Sequence, residues 1–490
     1  MKTLSTLTLA LTLTACVPTP KDVQPAPAEA ELYPDYRDVV LPCNIAPLNF
    51  LVRNEGVDAL QLTAGDATLR CRGNKLVWNE AEWHQWLGRH TGDTVPCTLT
   101  ARIDGQWQEF KPFQWVVSRD SIDRYVTYRL IEPGYEVWHE VEIEERCLED
   151  FSTRTLADGK RLGNRCMNCH THGGQKGELS YFYVRGQGGG TIVNRNGQLR
   201  KMSLVTPRAN GSSVYGDWHP SGRYGVFSTN QIIPAFHSDP ARRLEVYDTR
   251  SDLMVADFDT DSLLTQPEVS QSDDRLETFP CFSADGEWIY FCAASNPLGT
   301  HVGNAAEMMP TIDTLRYALW GMPFDAGTGQ MGTPMLIYAR EGSVSMPKCS
   351  PDGAYLAYTA SDYGTFPIWH REARMELLDC QALKAGNATS KTHAPALHPI
   401  CRTDIHATYH SWSHNSRWIV FASKAEDTQY GRIQMVHIEA DGDSIRLSKA
   451  LTLPQADPSA DDWNLRSYNI PDLSDCSMPF TTDDVAGLCK

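Results

Sequence analysis

The sequence predicts an all-β protein, and three observations carry that expectation. A strand–turn–strand unit recurs four times in the C-terminal half. Its turn is built from residues that accept a positive φ. Before position 145 the chain is a series of short apolar runs broken by turn residues.

The first 16 residues read as an export signal. Lys2 supplies a positive start, and Leu4 to Leu13 form an apolar run interrupted only by Ser and Thr. Leu13-Thr14-Ala15-Cys16 has the small residues that precede the lipidated cysteine of a bacterial lipobox, with an ordinary cleaved signal peptide as the alternative. The run is too short to span a membrane. Residues 17–30, rich in Pro and Ala, form an extended tether. The mature protein is therefore expected to begin at a lipidated Cys16 and to be anchored to the outer membrane, on its periplasmic or surface face, without spanning it.

Residues 31–145 contain strand-like runs at Leu48 to Val52, Thr98 to Ile103 and Phe113 to Val117. They are read as a β-sandwich-like domain. Cys43, Cys71, Cys97 and Cys147 allow two disulfides there. Cys281 and Cys292 flank one later hairpin, and Cys476 and Cys489 could pin the tail. Glu144 to Arg165 is more polar and is expected to be partly helical.

Cys166-Met167-Asn168-Cys169-His170, within a segment at 146–178, spells C-x-x-C-H. Two thiols at this spacing can each add to a vinyl group on one porphyrin edge, and the adjoining histidine then reaches the iron. With 14 Cys and 15 His in 490 residues, chance supplies about 0.01 such matches. The motif thus predicts one covalent haem c, attached at Cys166 and Cys169 with His170 as proximal iron ligand. A zinc site using His172 as fourth ligand, or an inert thiol pair, are the alternatives. Haem attachment belongs to the exported side of the membrane, so signal and motif support each other.

From 179 to 472 the chain repeats itself. Val214 to Asn230, Thr278 to Ser295, Ser345 to Asp362 and Tyr409 to Lys424 share one pattern: an aromatic or Cys, a Ser or His, a turn, then an aromatic and β-branched run. The turn pairs are Ser221-Gly222, Asp285-Gly286, Asp352-Gly353 and Asn415-Ser416, spaced 64, 67 and 63 residues apart. One such blade cannot bury both faces, so blades must recur around an axis as a β-propeller. Four units are plain, a fifth is expected, and the long spacings leave room for degenerate ones. Leu179 to Leu204 is read as a strand pair that closes the ring, and 473–490 as a tail.

Composition excludes some partners. The 44 basic and 61 acidic residues give a net charge of −17, which argues against nucleic acid and against docking along anionic lipid. No G-x-S-x-G elbow or phosphate loop is present, and the chain ends soon after the last unit, against a propeller-bearing hydrolase.

These hairpins resemble the repeat of the TolB-like, PD40-type propellers (a WD40-like fold), whose central phrase is F-S-P-D-G. Ser283-Ala284-Asp285-Gly286 and Ser350-Pro351-Asp352-Gly353 match it best. The whole chain also resembles a family of bacterial lipoproteins common in Bacteroidetes, often labelled TolB-like or cytochrome c biosynthesis proteins. The phrases that carry the resemblance include Tyr33-Pro34-Asp35-Tyr36, the run from Asn44 to Phe50, the run from Tyr128 to Tyr135, and Trp218-His219-Pro220-Ser221-Gly222. The resemblance implies a fold and little about function.

The function expected is electron transfer by a membrane-anchored c-type cytochrome in a cell-envelope complex, with redox or assembly proteins of the envelope as partners. A second protein ligand to the iron is then needed, and Met202, His172, His219, His237 and His410 are the candidates. The alternative is an envelope accessory or binding protein whose haem is structural or absent. A haem-dependent reductase with an open iron position is a third reading, so catalysis itself stays undecided.

Overall fold

The structure, a computed structural model, describes residues 17–132, 140–202, 204–205, 210–211, 213–236, 238, 244–299, 304–389, 401–441 and 444–490. Cys16 and the signal before it lie outside the described residues. Strands dominate from end to end, so the protein is all-β. Among the described residues no helix is long and apolar enough to cross a membrane.

The N-terminal part pairs a seven-stranded sheet with a three-stranded one. It also contains a helix, Glu80–Arg89, that the sandwich expectation omitted. Asn79 caps it by accepting from the Glu82 N–H at 3.1 Å, and the 3.6-residue period turns Trp83, Trp86 and Leu87 inward. Trp78 and Trp115 join them with ring centroids 5.0 to 6.5 Å apart. The indole N–H groups of Trp83, Trp86 and Trp115 donate to the carbonyls of Ile45, Ala64 and Tyr36, so the aromatic core leaves none of these three donors unpaired.

Six antiparallel sheets follow, each built on four strands in meander order. Their inner strands are Ser467–Ser474, Met167–Gly173, Val214–Trp218, Arg275–Phe282, Ser343–Cys349 and Thr408–Trp412. Each touches the next, and the last touches the first, so the sheets close into a ring of six blades. Ser467–Ser474 pairs with Tyr125–Ile131, which brings the C-terminal end of the chain into the first blade. That pairing, rather than Leu179 to Leu204, closes the ring. It also moves the start of the ring back to Tyr125, because Tyr125–Ile131, Glu142–Cys147 and Thr153–Asp158 complete the first blade. The stretch from Glu144 to Arg165 is accordingly strand and turn, not helix. Leu179 to Leu204 falls mostly in the second blade.

The repeated turns behave as their chemistry requires. Gly222, Gly286, Gly353 and Ser416 have φ of 68°, 75°, 71° and 57°. Ser283, Ser350 and Ser413 each donate to the turn residue Asp285, Asp352 or Asn415 at 2.6 to 2.7 Å. Each also accepts a backbone N–H five residues on, from Trp288, Tyr355 and Trp418, at 2.9 to 3.0 Å. Among the described residues, Cys43, Cys71, Cys97 and Cys147 form no disulfide, and neither do Cys281 with Cys292 or Cys476 with Cys489. Cys281 lies opposite Tyr290 and Cys292 opposite Thr278, so that hairpin does not set the two thiols face to face.

The N-terminal part docks on the last and first blades through a shared apolar core that includes Tyr36, Leu48, Trp418 and Leu473. Asp120 binds His437 Nε2 at 2.8 Å across this junction. The C-terminal helix Thr482–Leu488 sends Val485 into a core with Ile143, Phe182 and Phe480.

Candidate functional site

One feature of the inner strands organises the centre of the ring. Each carries a single non-glycine residue at positive φ: Cys169 (38°), Tyr215 (44°), Phe279 (48°), Met346 (55°), Tyr409 (49°) and Ile470 (54°). Pairing with the neighbouring strand slips at each of these points, which marks a β-bulge in every blade. Such backbone is costly for these residue types, and it persists because six packed blades hold it. The motif Cys166 to His170 is therefore built into the ring. Cys169 is the second blade's bulge, and His170 stands where other blades have Gly216, Pro280, Pro347, His410 and Pro471.

The bulges frame the waist of the axial channel, a cavity of about 60 Å3. His170, His410, Lys348 and Asp472 all line it. Burial lowers both His170 and His410 to a pKa of about 4, so both imidazoles are neutral at ordinary pH. His170 Nε2 faces the Thr127 carbonyl at 3.2 Å, and its Nδ1 is buried without a partner. Neither ring nitrogen of His410 has a partner at hydrogen-bonding geometry, although the Ala357 backbone lies nearby.

Above the bulges the channel opens into a bowl with a cavity volume of about 260 Å3. Its walls come mainly from apolar side chains: Ile232, Pro234, Phe236 and Val246 on one side, Phe366 and Trp369 on the other. The hairpin of Tyr224–Phe236 and Leu244–Asp257 is unusually long and supplies the first wall. Arg129, Arg185 and Lys424 add cationic groups. Lys424 lies 3.8 Å over the Trp369 ring, and burial lowers its amine to about 7. Cys169 lines both bowl and waist. Burial pushes its thiol up, against the pull of Arg129. The half-buried Arg129 lies within electrostatic reach of both Cys169 and Cys166 and donates to the Met167 carbonyl at 3.1 Å.

The remaining candidates are scattered. His172 is buried beside His170, with ring centroids 6.4 Å apart, but its Nε2 meets Thr127 Oγ1 and its backbone N–H is taken by Asp472. Met202 packs within the blades beside Tyr181 and Trp218. His219 is held by Ser221 at a turn and lies against Gly286. Neither Met202 nor His219 lines the waist or the bowl. His237 lies outside the described residues. Among the described residues no three His, Cys, Asp or Glu side chains are placed to hold a metal ion, which removes the four-ligand zinc alternative. The physical reason is that the thiols sit near Arg129 while the imidazoles face Thr127.

Sequence reasoning missed the bowl and its cations. It also missed a signal for the bulges: Gly216, Pro280, Pro347 and His410 each stand six residues before the turn positions 222, 286, 353 and 416.

Compared with known proteins, the chain matches no established family profile and no curated protein. Among solved structures it is similar to a puromycin-hydrolysing peptidase of Mycobacterium tuberculosis, at 15% identity and a TM-score of 0.32. That match covers 59% of this chain and 39% of the peptidase, so the chain spans well under half of that protein's length. It is also similar to Hsv2 of Kluyveromyces lactis, at 9% identity and TM-score 0.28, over 74% of this chain and 96% of that one. A Bacteroides ovatus protein described as a dipeptidyl aminopeptidase IV matches at 9% and 0.23, over 69% and 60%. Likeness at this level carries no argument about activity.

Proposed function

We propose that the protein is an envelope-anchored c-type cytochrome that passes electrons within a cell-envelope complex, on a TolB/WD40-like propeller. One haem c would be held through Cys166 and Cys169, with His170 as proximal ligand. The observation that carries this reading is the position of Cys169, at the floor of a large apolar bowl and beside the channel waist where His170 stands. Motif and cavity are independent observations, and they meet at one residue.

The bowl suits the group in part: Cys169 lines it, while Cys166 and His170 do not. Apolar walls would exclude water from a flat hydrophobic ring, and Arg129, Arg185 and Lys424 would oppose its carboxylates. Burial keeps His170 neutral, the form in which an imidazole binds a metal, and leaves Nδ1 without a partner. Bound there, the haem would supply one-electron redox chemistry at its iron. Lipidation at Cys16, the outer-membrane location and the envelope redox or assembly partners belong to the same proposal and rest on the N-terminal signal.

A second reading is favoured by one contact. His170 Nε2 faces the Thr127 carbonyl, and the strand that carries the motif is paired within its blade. On that reading the protein is an envelope accessory protein that binds a partner or ligand at the bowl. A haem-dependent reductase has less support.

The deciding experiment is a haem stain and a reduced-minus-oxidised spectrum of the denatured protein, co-produced with c-type maturation machinery. A covalent signal lost in Cys166→Ala/Cys169→Ala is the expected result. No signal from well-folded protein overturns the cytochrome and leaves the bowl as a binding site.

A further inference from the structure

We propose that a cavity between the fifth and sixth blades binds a phosphate dianion, free or as the head of a small phosphate monoester. This site goes beyond the haem reading and does not depend on it. The cavity, about 260 Å3, is lined by residues that include Trp369, Arg371, Arg374, Asp404, His406 and Lys424. Arg374 opens the third strand of the fifth blade, Arg374–Asp379, and Arg371 stands just before it. Lys424 follows the second strand of the sixth blade, Trp418–Ser423, and with Trp369 it also lines the bowl. Three cations face one carboxylate on this wall, which leaves a surplus of two positive charges when Lys424 is protonated. That surplus matches a dianion better than a single carboxylate.

Among the described residues, the side chains of Arg371 and Arg374 have no hydrogen-bond or ion-pair partner. Elsewhere in this chain of 61 acidic residues arginines find carboxylates: Arg53, Arg195 and Arg466 each meet one at 2.6 to 2.7 Å. Arg371 is exposed and Arg374 half-buried, so both forks are open to a ligand entering from solvent. A guanidinium donates in parallel pairs, the geometry that phosphate oxygens accept. Lys424 lies 3.8 Å over the Trp369 ring and donates to the Gln429 carbonyl. Asp427 is within its electrostatic reach, but that carboxylate also meets Arg432 at 3.5 Å. Burial lowers the Lys424 amine, and a dianion in the cavity would restore its charge. Cations grouped on one wall repel one another, and an anion seated among them offsets that repulsion.

The test is isothermal titration of the full chain, at low salt, with inorganic phosphate, phenyl phosphate and benzoate. Saturable binding of the phosphates is expected, with benzoate about tenfold weaker than phenyl phosphate. Arg371→Gln and Arg374→Gln should each weaken phosphate binding about tenfold. The double variant should abolish it while unfolding at the wild-type temperature. Arg417→Gln, which removes a cation outside the cavity, should bind as wild type does. Phenyl phosphate binding tighter than inorganic phosphate assigns a monoester, and equal or weaker binding assigns the free anion. Three results overturn the site: no saturable binding by wild type, undiminished binding by the folded double variant, or benzoate as tight as phenyl phosphate. An equal loss in Arg417→Gln also overturns it, by reducing the effect to net charge.

Discussion

Lys348 Nζ and Asp217 Oδ1 lie 2.8 Å apart, joining the fifth blade to the third past the intervening fourth. Asp217 also accepts from the Phe282 N–H at 2.9 Å, so one carboxylate ties three blades at the waist. Burial opposes the charge on Lys348, but Asp217 and Asp472 outweigh it and hold the amine above its usual pKa. Asp472 takes the equivalent role between the first and second blades by accepting from the His172 N–H at 2.8 Å.

Breaking that pair from one side should strand a charge in a confined space. Lys348→Met is expected to cost about 2 kcal/mol in denaturant unfolding, and Asp217→Asn/Lys348→Met less than the sum of its parts. Additive single effects in a double-mutant cycle would show that the pair contributes nothing of its own.

The repeated turns give a graded series. Gly353→Ala meets only a methyl at 3.3 Å and a φ of 71°, and should cost about 1 kcal/mol. Gly286→Ala places a Cβ 2.1 Å from His219 Nε2, so the ring must move; about 3 kcal/mol is expected. Thermal unfolding of both variants checks the order.

The hairpin that walls the bowl is clamped by a titrating group. Buried His370 bonds Glu245 at 3.2 Å and Glu372 at 3.1 Å. Burial lowers its pKa, but the two carboxylates prevail and raise it from 6.5 to about 9. Burial raises Glu372, but His370 prevails and holds it at about 2 instead of 4.5. The histidine's contribution is full below pH 6.5 and is lost as pH rises through 9. The Glu372 contribution is full above 4.5 and is lost as pH falls through 2. The clamp is therefore strongest near pH 4.5 to 6.5. Stability should fall by up to about 3 kcal/mol between pH 6.5 and 9, and this slope should vanish in His370→Gln. An unchanged slope in the variant would assign the titration elsewhere.

In the N-terminal part, Asn79→Ala removes the helix cap and should cost about 1 kcal/mol, whereas Asn79→Asp should be nearly neutral. Chemical denaturation followed by Trp fluorescence reads this directly, since the helix carries Trp83 and Trp86.

Four of the six blades were legible because their turns use local chemistry: a serine, or His219 in the third blade, bonding a residue two positions on, and a backbone that turns left-handed at Gly or Ser. The other two were hidden for separate reasons. The second blade replaces that turn with Gly174 and Gln175, at φ of 57° and 55°, and lacks the serine. The first takes its inner strand, Ser467–Ser474, from the far end of the chain, so no contiguous segment spells it.

The sequence by itself determined the local chemistry: strands of period two, turns at Asp-Gly, and two thiols with a histidine at C-x-x-C-H spacing. Short-range sterics and hydrogen bonding settle such features within a few residues. Only the tertiary structure decided that Cys169 is a bulge, that His170 and His410 share one cavity while Met202 and His219 do not, and where the bowl lies. Those relations depend on which strand lies beside which, and ring closure sets that through contacts between residues hundreds of positions apart.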